Sequence, residues 1–385
     1  MPAVLSKQIG EGRHATVRIL KLDNKYYAAK CFLDEKSRND EFLKHLHIVT
    51  TLREKASWLL QYSQHLALNA ERNMQHAQTE AHRAEIEARH ARHAWTRTRT
   101  DAQECSARAR MFDANAQMLS AQLRRHQADV LELQKSPLHH YIADVIERGA
   151  AFADRHLHYY IVLRLEGQSM EEQMTSFNSP PPSLRWMILE YGRQLCRALF
   201  CMHLASFHYD INPANILQKG KGYGYVIVDF GQSERRGARS CKNRDYSQYA
   251  PLDPADRIPD GKFDVASLAS VLLELFVWGF FGRGALLQFR VDRRIDQVKS
   301  QQGQDFCDQS ERFYIQRKTN FVGLSPSVNA WLERLKLEIP QQVVEVLRRM
   351  LDPNPDERPT ASSALTLFEQ ALPPSPPVPP QKASC

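Results

Sequence analysis

Gly10-Glu11-Gly12-Arg13-His14-Ala15-Thr16-Val17 places two glycines in a turn between strand-like runs. Glycines in such a turn let backbone approach a phosphate without a side-chain clash. An ordinary hairpin turn gives the same pattern, and a dinucleotide-binding turn would lead into a helix instead. Twenty residues past Gly10, Lys30 ends the apolar run Ala28-Ala29-Lys30. A lysine there is costly to bury unless it is paired. Its ammonium either grips α- and β-phosphates or snorkels to water. Farther on, two segments gather carboxylates and amides. They are Phe207-His208-Tyr209-Asp210-Ile211-Asn212-Pro213-Ala214-Asn215-Ile216-Leu217 and Val226-Ile227-Val228-Asp229-Phe230-Gly231.

The elements that must position these residues follow from hydrophobic period and punctuation. Residues 4–5, 16–20 and 26–30 read as strands, with a turn at Asp23-Asn24. From residue 13 to residue 136 there is no Gly or Pro, and good helix formers dominate. Phe42, Val49, Leu52, Ala56, Leu59 and Leu66 keep three-four spacing, as do Phe112, Ala116, Leu119, Leu123, Val130 and Leu133. Two such seams predict a coiled-coil hairpin over about residues 45–125. Its polar tip, about 71–110, is rich in Arg and His and either meets an acidic partner or is simply solvated. Pro137 ends the helical run. Strands are predicted at 141–146 and 159–165, and strand-like pieces near 215–217 and 225–228. Helices are predicted at 184–204, 263–278, 326–337, 341–351 and 360–370. The proline-rich tail 373–385 is expected to be disordered.

The pattern H-x-D-x-x-P-x-N, with D-F-G nineteen residues after the first Asp, resembles the eukaryotic protein kinases. Ala250-Pro251 lies where that family places Ala-Pro-Glu. Asp264-Val265-Ala266-Ser267-Leu268 is similar to its D-x-W-S-x-G helix start, and residues 351–360 to its closing L-x-x-D-P-x-x-R-P-T segment. The resemblance covers about residues 5–36 and 128–370. It implies an α+β, two-lobed protein-kinase-like fold, with a β-rich small lobe carrying an inserted helical hairpin and a larger, mainly α-helical lobe. The boundaries it implies are 1–37 for the first part of the small lobe and 38–135 for the helical insertion. The second part and hinge then occupy 136–167, the large lobe 168–372, and the tail 373–385.

The resemblance also implies roles and ligands, ATP and Mg²⁺. Asp210 orients an acceptor hydroxyl and takes its proton, with Lys30 and Asn212 completing the catalytic set. Asn215 and Asp229 supply oxygen ligands for Mg²⁺. Gly10, Gly12, Ala15, Val17, Ala28, Lys30, Leu163, Arg164 and Glu166 surround the nucleotide, with Leu163 as gatekeeper and backbone groups of Arg164 and Glu166 on adenine. Phosphoryl transfer asks mainly for positioning and charge neutralisation, which two carboxylates and an amide on two loops can give.

Several positions depart from the family pattern. The glutamate that pairs the strand lysine is ambiguous because of the insertion. Alignment from its far end points to Asp129, with Glu132 close by and Glu41 a third candidate. Asn212 replaces the family's lysine, so low activity is expected, as is a gain on restoring lysine there. Tyr209 replaces the arginine that binds an activation-loop phosphate, which argues against that switch. Leu252 stands where a glutamate should pair with Arg358, and Asp253 is the candidate substitute.

The expected function is ATP-dependent phosphorylation of Ser/Thr hydroxyls on a protein substrate. The alternatives are a kinase-fold scaffold that binds partners through the insertion, and a small-molecule kinase. Composition narrows the rest. A formal net charge of +7 is only mildly basic, and no RNA-binding or zinc-finger pattern accompanies it, so no nucleic-acid partner is expected. Seven cysteines without CxxC spacing read as reduced thiols. No signal-like start precedes the first strand. The apolar run 265–281 is broken by Ser and Glu and reads as a buried helix rather than a membrane span. These features predict a cytoplasmic or nuclear protein without membrane contact.

Overall fold

The computed structural model describes residues 4–11, 16–22, 25–32, 34–93, 107, 110, 111, 114, 117, 145–153, 156–163, 167–178, 180, 185–219, 224–235, 247–254, 260–300, 311–316 and 322–372. The chain is a mixed α and β protein with small antiparallel sheets. It divides into two units, one of Met1–Leu52 with His139–Cys385 and one of Arg53–Leu138.

In the first unit, aromatic and β-branched runs form β1 (Val4–Glu11), β2 (Thr16–Leu22) and β3 (Lys25–Phe32). Helix α1 (Glu35–His93) follows. The Asp34 carboxylate accepts the Ser37 N–H at 2.7 Å, satisfying one free donor of the first turn. Arg38, Glu41, His45, Ile48, Val49 and Leu52 are buried at three-four spacing, while Leu43 and Leu46 are exposed. The first half of this buried face is therefore polar, and only its second half matches the apolar seam read from the sequence. Strands β4 (Val145–Ala153) and β5 (His156–Leu163) complete a five-stranded antiparallel sheet in the order β1-β2-β3-β5-β4. Strand β4 lies several residues later than predicted. Its Gly149-Ala150-Ala151 centre has low strand propensity and is held by pairing with β5.

Helix α2 (Met170–Ser176) begins at a capping box, in which Ser169 and Glu172 each bond the other's backbone N–H. Helix α3 (Arg185–His203) leads into β6 (Ser206–Phe207), a 3-10 turn at Pro213–Asn215, β7 (Ile216–Gln218), β8 (Tyr225–Ile227) and β9 (Glu234–Arg235). The strands pair β6 with β9 and β7 with β8, which brings the two loop segments together. Then come α4 (Gly261–Phe281), α5 (Arg283–Ser300), β10 (Tyr314–Gln316), β11 (Val322–Leu324), α6 (Pro326–Leu335), α7 (Gln341–Met350) and α8 (Ala361–Ala371).

Helix α4 is the core. It is apolar on all sides and contacts α3, α5, α6, α7 and α8. Among the described residues it alone is long and apolar enough to cross a bilayer, and its apolar window is entirely buried in the protein. Close approach to α3 needs two glycines. A Cβ at Gly279 would lie 2.8 Å from Ile188, and one at Gly192 would lie 2.9 Å from Phe276. Cys31, Cys196 and Cys201 are free and buried, and burial raises all three thiols, Cys31 to about 11.

In the second unit the described residues are those of α1 from Arg53 to His93, together with helical positions at 107, 110, 111, 114 and 117. The 59 residues of α1 span on the order of 90 Å. The helix continues past residue 71, where the hairpin tip was expected to begin. Any turn, most of the second arm and Pro137 lie outside the described residues, as does the tail 373–385. The division between the two compact units falls after Leu52.

Candidate active site

Lys30 sits in a cross-strand row with Gly10, Val17 and Ile161, and Ala28 lies two residues along on the same face of β3. Leu163 occupies the position opposite Ala28 at the end of β5. Gly12, Ala15, Arg164 and Glu166 lie outside the described residues. The Lys30 ammonium donates to both Glu41 oxygens, at 2.8 and 3.0 Å, and to Asp229 Oδ1 at 2.7 Å. Its ion partner on the helix is thus Glu41, in the second turn of α1. The preference for Asp129 or Glu132, which lie outside the described residues, is corrected. The helix that faces β3 is the one directly following it, and the insertion extends that helix instead of preceding it.

The Asp210 loop is pinned from below by a carboxylate. Asp264, fully buried in the first turn of α4, accepts the backbone N–H groups of His208 and Tyr209, both at 2.7 Å. The same carboxylate lies 3.0 Å from His203 Nε2. This holds Tyr209 at φ 63°, a left-handed conformation that a bulky residue adopts only where its surroundings impose it. His208 Nδ1 accepts the Asp210 N–H at 3.2 Å and its Nε2 donates to the Val228 carbonyl at 3.0 Å. The Val228 N–H donates to the Asn215 carbonyl at 3.0 Å, so the two loops are laced together.

Asp229, at φ 65°, points its carboxylate at Lys30. Its Oδ1 also accepts the Gly231 N–H at 3.2 Å, while Oδ2 takes no hydrogen bond from the described residues and the side chain stays 38% exposed. Phe230 is buried edge-on to His45 of α1, with ring centroids 4.8 Å apart, and lies against His208 at 5.2 Å. Lys44 donates to the Gly231 carbonyl at 2.6 Å. Helix α1 is therefore tied to the Asp229 loop directly by the His45–Phe230 ring contact and the Lys44 hydrogen bond, and indirectly through Lys30, which pairs with both Glu41 and Asp229.

The charges are unequal. Burial pulls the Lys30 pKa down, but Glu41 and Asp229 outweigh it and hold the ammonium above its usual range. Burial, with Asp229 nearby, keeps Glu41 above the ordinary carboxylate range despite Lys30. Asp229 is opposed by burial yet held low by Lys30. Asp210 is raised, chiefly by burial, against the amide donors of Asn212 and Asn215. Lys30 thus bonds two carboxylates, Glu41 and Asp229, while Asp210 is held by the amides of Asn212 and Asn215. Among the described residues no cluster of three or more His, Cys, Asp or Glu side chains could hold a metal unaided.

Residues 247–254 flank this site and are held by three contacts. Ala250 packs on Tyr209 and Phe263. The Tyr249 hydroxyl donates to Glu274 of α4 at 3.0 Å. Asp253 takes two bonds from Arg358, at 2.7 and 3.2 Å, so the candidate substitute for Leu252 is the observed partner. Glu274 is fully buried and also bonds Arg290 and Arg293 of α5. Arg290 makes a bidentate pair with Glu171 at 2.7 and 2.8 Å. Arg293 lies between the rings of Phe289 and Phe313.

Compared with known proteins, the chain matches no family model and no curated protein.

Proposed function

We propose that this protein transfers the γ-phosphate of ATP, with Mg²⁺, to hydroxyl groups of a protein substrate, on a two-lobed kinase-like fold. The observation that carries the reading is the convergence of Lys30, Glu41, Asp229, Asn215 and Asp210 from β3, α1 and two laced loops. Lys30, oriented by Glu41, is placed to bind phosphate oxygens. Asp229 offers an oxygen free of hydrogen bonds for Mg²⁺, and Asn215 stands beside Asp210 as a second ligand. Such a site suits Mg²⁺, which takes one or two protein ligands and completes its shell with phosphate and water. Bound there, Mg²⁺ would neutralise charge on the phosphates. Asp210, partly buried with a raised pKa, is suited to accept the acceptor hydroxyl's proton.

The scaffold alternative drew on Asn212, on Leu252 and on a missing helix glutamate. Glu41 and Asp253 supply both partners, which weakens it. The apolar seat of Ala250 on Tyr209 also supports a segment positioned without a phosphate.

Mg²⁺-ATP is expected to raise the melting temperature. At about 100 times the dissociation constant the stabilisation should reach about 2.7 kcal/mol. Asp229→Ala should shrink the shift and abolish transfer from γ-radiolabelled ATP. A protein that shows no thermal shift with any nucleotide would sink this reading in favour of the scaffold.

A further inference from the structure

Asn212 uses all of its polar capacity inside the Asp210 loop. Its Nδ2 donates to the Asp210 carbonyl at 3.1 Å and to Asp210 Oδ1 at 3.0 Å. Its Oδ1 accepts the N–H groups of Ala214 and Asn215, at 3.0 and 3.2 Å, and so caps the 3-10 turn that carries Asn215. Asn215 answers from the other side, donating to the Asp210 carbonyl at 2.9 Å and to Oδ2 at 3.0 Å. Each carboxylate oxygen of Asp210 thus accepts from a different amide. An Asn side chain offers two donor hydrogens and an oxygen with two lone pairs. All four are engaged here, two on Asp210 and two on the turn.

We propose that Asn212 is a positioning residue for the transfer reaction, a neutral bracket that sets the Asp210 carboxylate and the Asn215 turn in one geometry. The inference rests on the kinase reading and extends it. Asn212 is more than a gap left by a missing cation. A lysine could donate to Asp210 but could not accept the two backbone N–H groups, so the 3-10 turn would lose its cap. The expectation that lysine at 212 raises turnover is thereby reversed. Misplacing a catalytic group by about 1 Å costs about 10²-fold.

Two substitutions separate orientation of Asp210 from capping of the turn. Serine is a good N-cap but is too short to reach Asp210, whereas alanine removes both functions. Transfer of radiolabelled γ-phosphate to a mixed Ser/Thr peptide library, Mg²⁺-ATP affinity and melting temperature would be measured for wild type, Asn212→Ser, Asn212→Ala and Asn212→Lys. All three variants are expected to lose about 10–100-fold in kcat, with ATP affinity within about twofold of wild type. Wild-type kcat in Asn212→Ser, alongside a loss in Asn212→Ala, would reduce Asn212 to a cap and overturn the proposal. A rise in kcat for Asn212→Lys would overturn it too. Absence of transfer by the wild type would remove the kinase reading itself, an outcome distinct from either.

Discussion

Asp210→Asn should lower phosphate transfer by about 10²–10⁴-fold while leaving the affinity for Mg²⁺-ATP nearly unchanged. The substitution keeps size and shape but removes the proton acceptor. In wild type both Asp210 oxygens accept from amides. An amide at 210 would set one NH₂ group against another donor, so part of the loss would come from misorientation. Lys30, Glu41 and Asp229 stay in place, which is why nucleotide binding should survive. Isothermal titration gives affinity and a radiolabel assay gives turnover. Equal turnover in variant and wild type would exclude Asp210 as the proton acceptor.

Glu274→Ala should be the most damaging single change to stability outside the site. Glu274 and Arg293 are both fully buried, and the glutamate also receives Arg290 and the Tyr249 hydroxyl. Breaking a buried pair by removing one partner typically costs about 3–5 kcal/mol, because the other charge is left uncompensated. For a unit of this size that corresponds to a fall in melting temperature of roughly 5–8 °C. Burial alone would raise the Glu274 pKa, but the guanidinium groups of Arg293 and Arg290 hold it below the ordinary value. A carboxyl whose folded pKa is depressed stabilises the protein above its unfolded pKa of about 4.3, and that stability disappears as pH falls through the folded value. Wild type should accordingly lose stability more steeply on acidification than Glu274→Gln. A melting temperature for Glu274→Ala within about 2 °C of wild type would show that the network carries no net stability.

The parts of the site that were legible in the sequence are those made by short, local runs. Asp210, Asn215 and Asp229 sit on two loops between strand-like pieces, and the pairing of β7 with β8 brings those loops together as expected. Lys30 was marked by the cost of a charge at the end of an apolar strand. Its partner was harder to find, because the buried face of α1 opens with Arg38, Glu41 and His45, which hydrophobic periodicity scores as solvent-facing. The useful signal was positional. Asp34 caps a helix directly after β3, and Glu41 falls two turns into it, eleven residues from Lys30. Helix α2 was also within reach, since Ser169 and Glu172 have capping-box spacing. Helix α5 was not legible, because the arginines it buries are satisfied by Glu274 and Glu171, far away in the chain. The main helices from α3 to α8 otherwise fall within a few residues of their predicted bounds, where the apolar period is strong.

The all-round apolar character of α4 also bears on how the chain is made. Of the five helices that cover it, only α3 is synthesised earlier, and α5, α6, α7 and α8 all leave the ribosome later. For the time needed to translate roughly 90 further residues, at about 5–20 residues per second, the core helix has one neighbour and no lid. A nascent chain in that state presents a 21-residue greasy segment to chaperones, to membranes and to other copies of itself. Premature stop codons anywhere between α4 and α8 should therefore yield insoluble fragments instead of shortened working proteins. Slowing translation over that interval should increase the demand for chaperones.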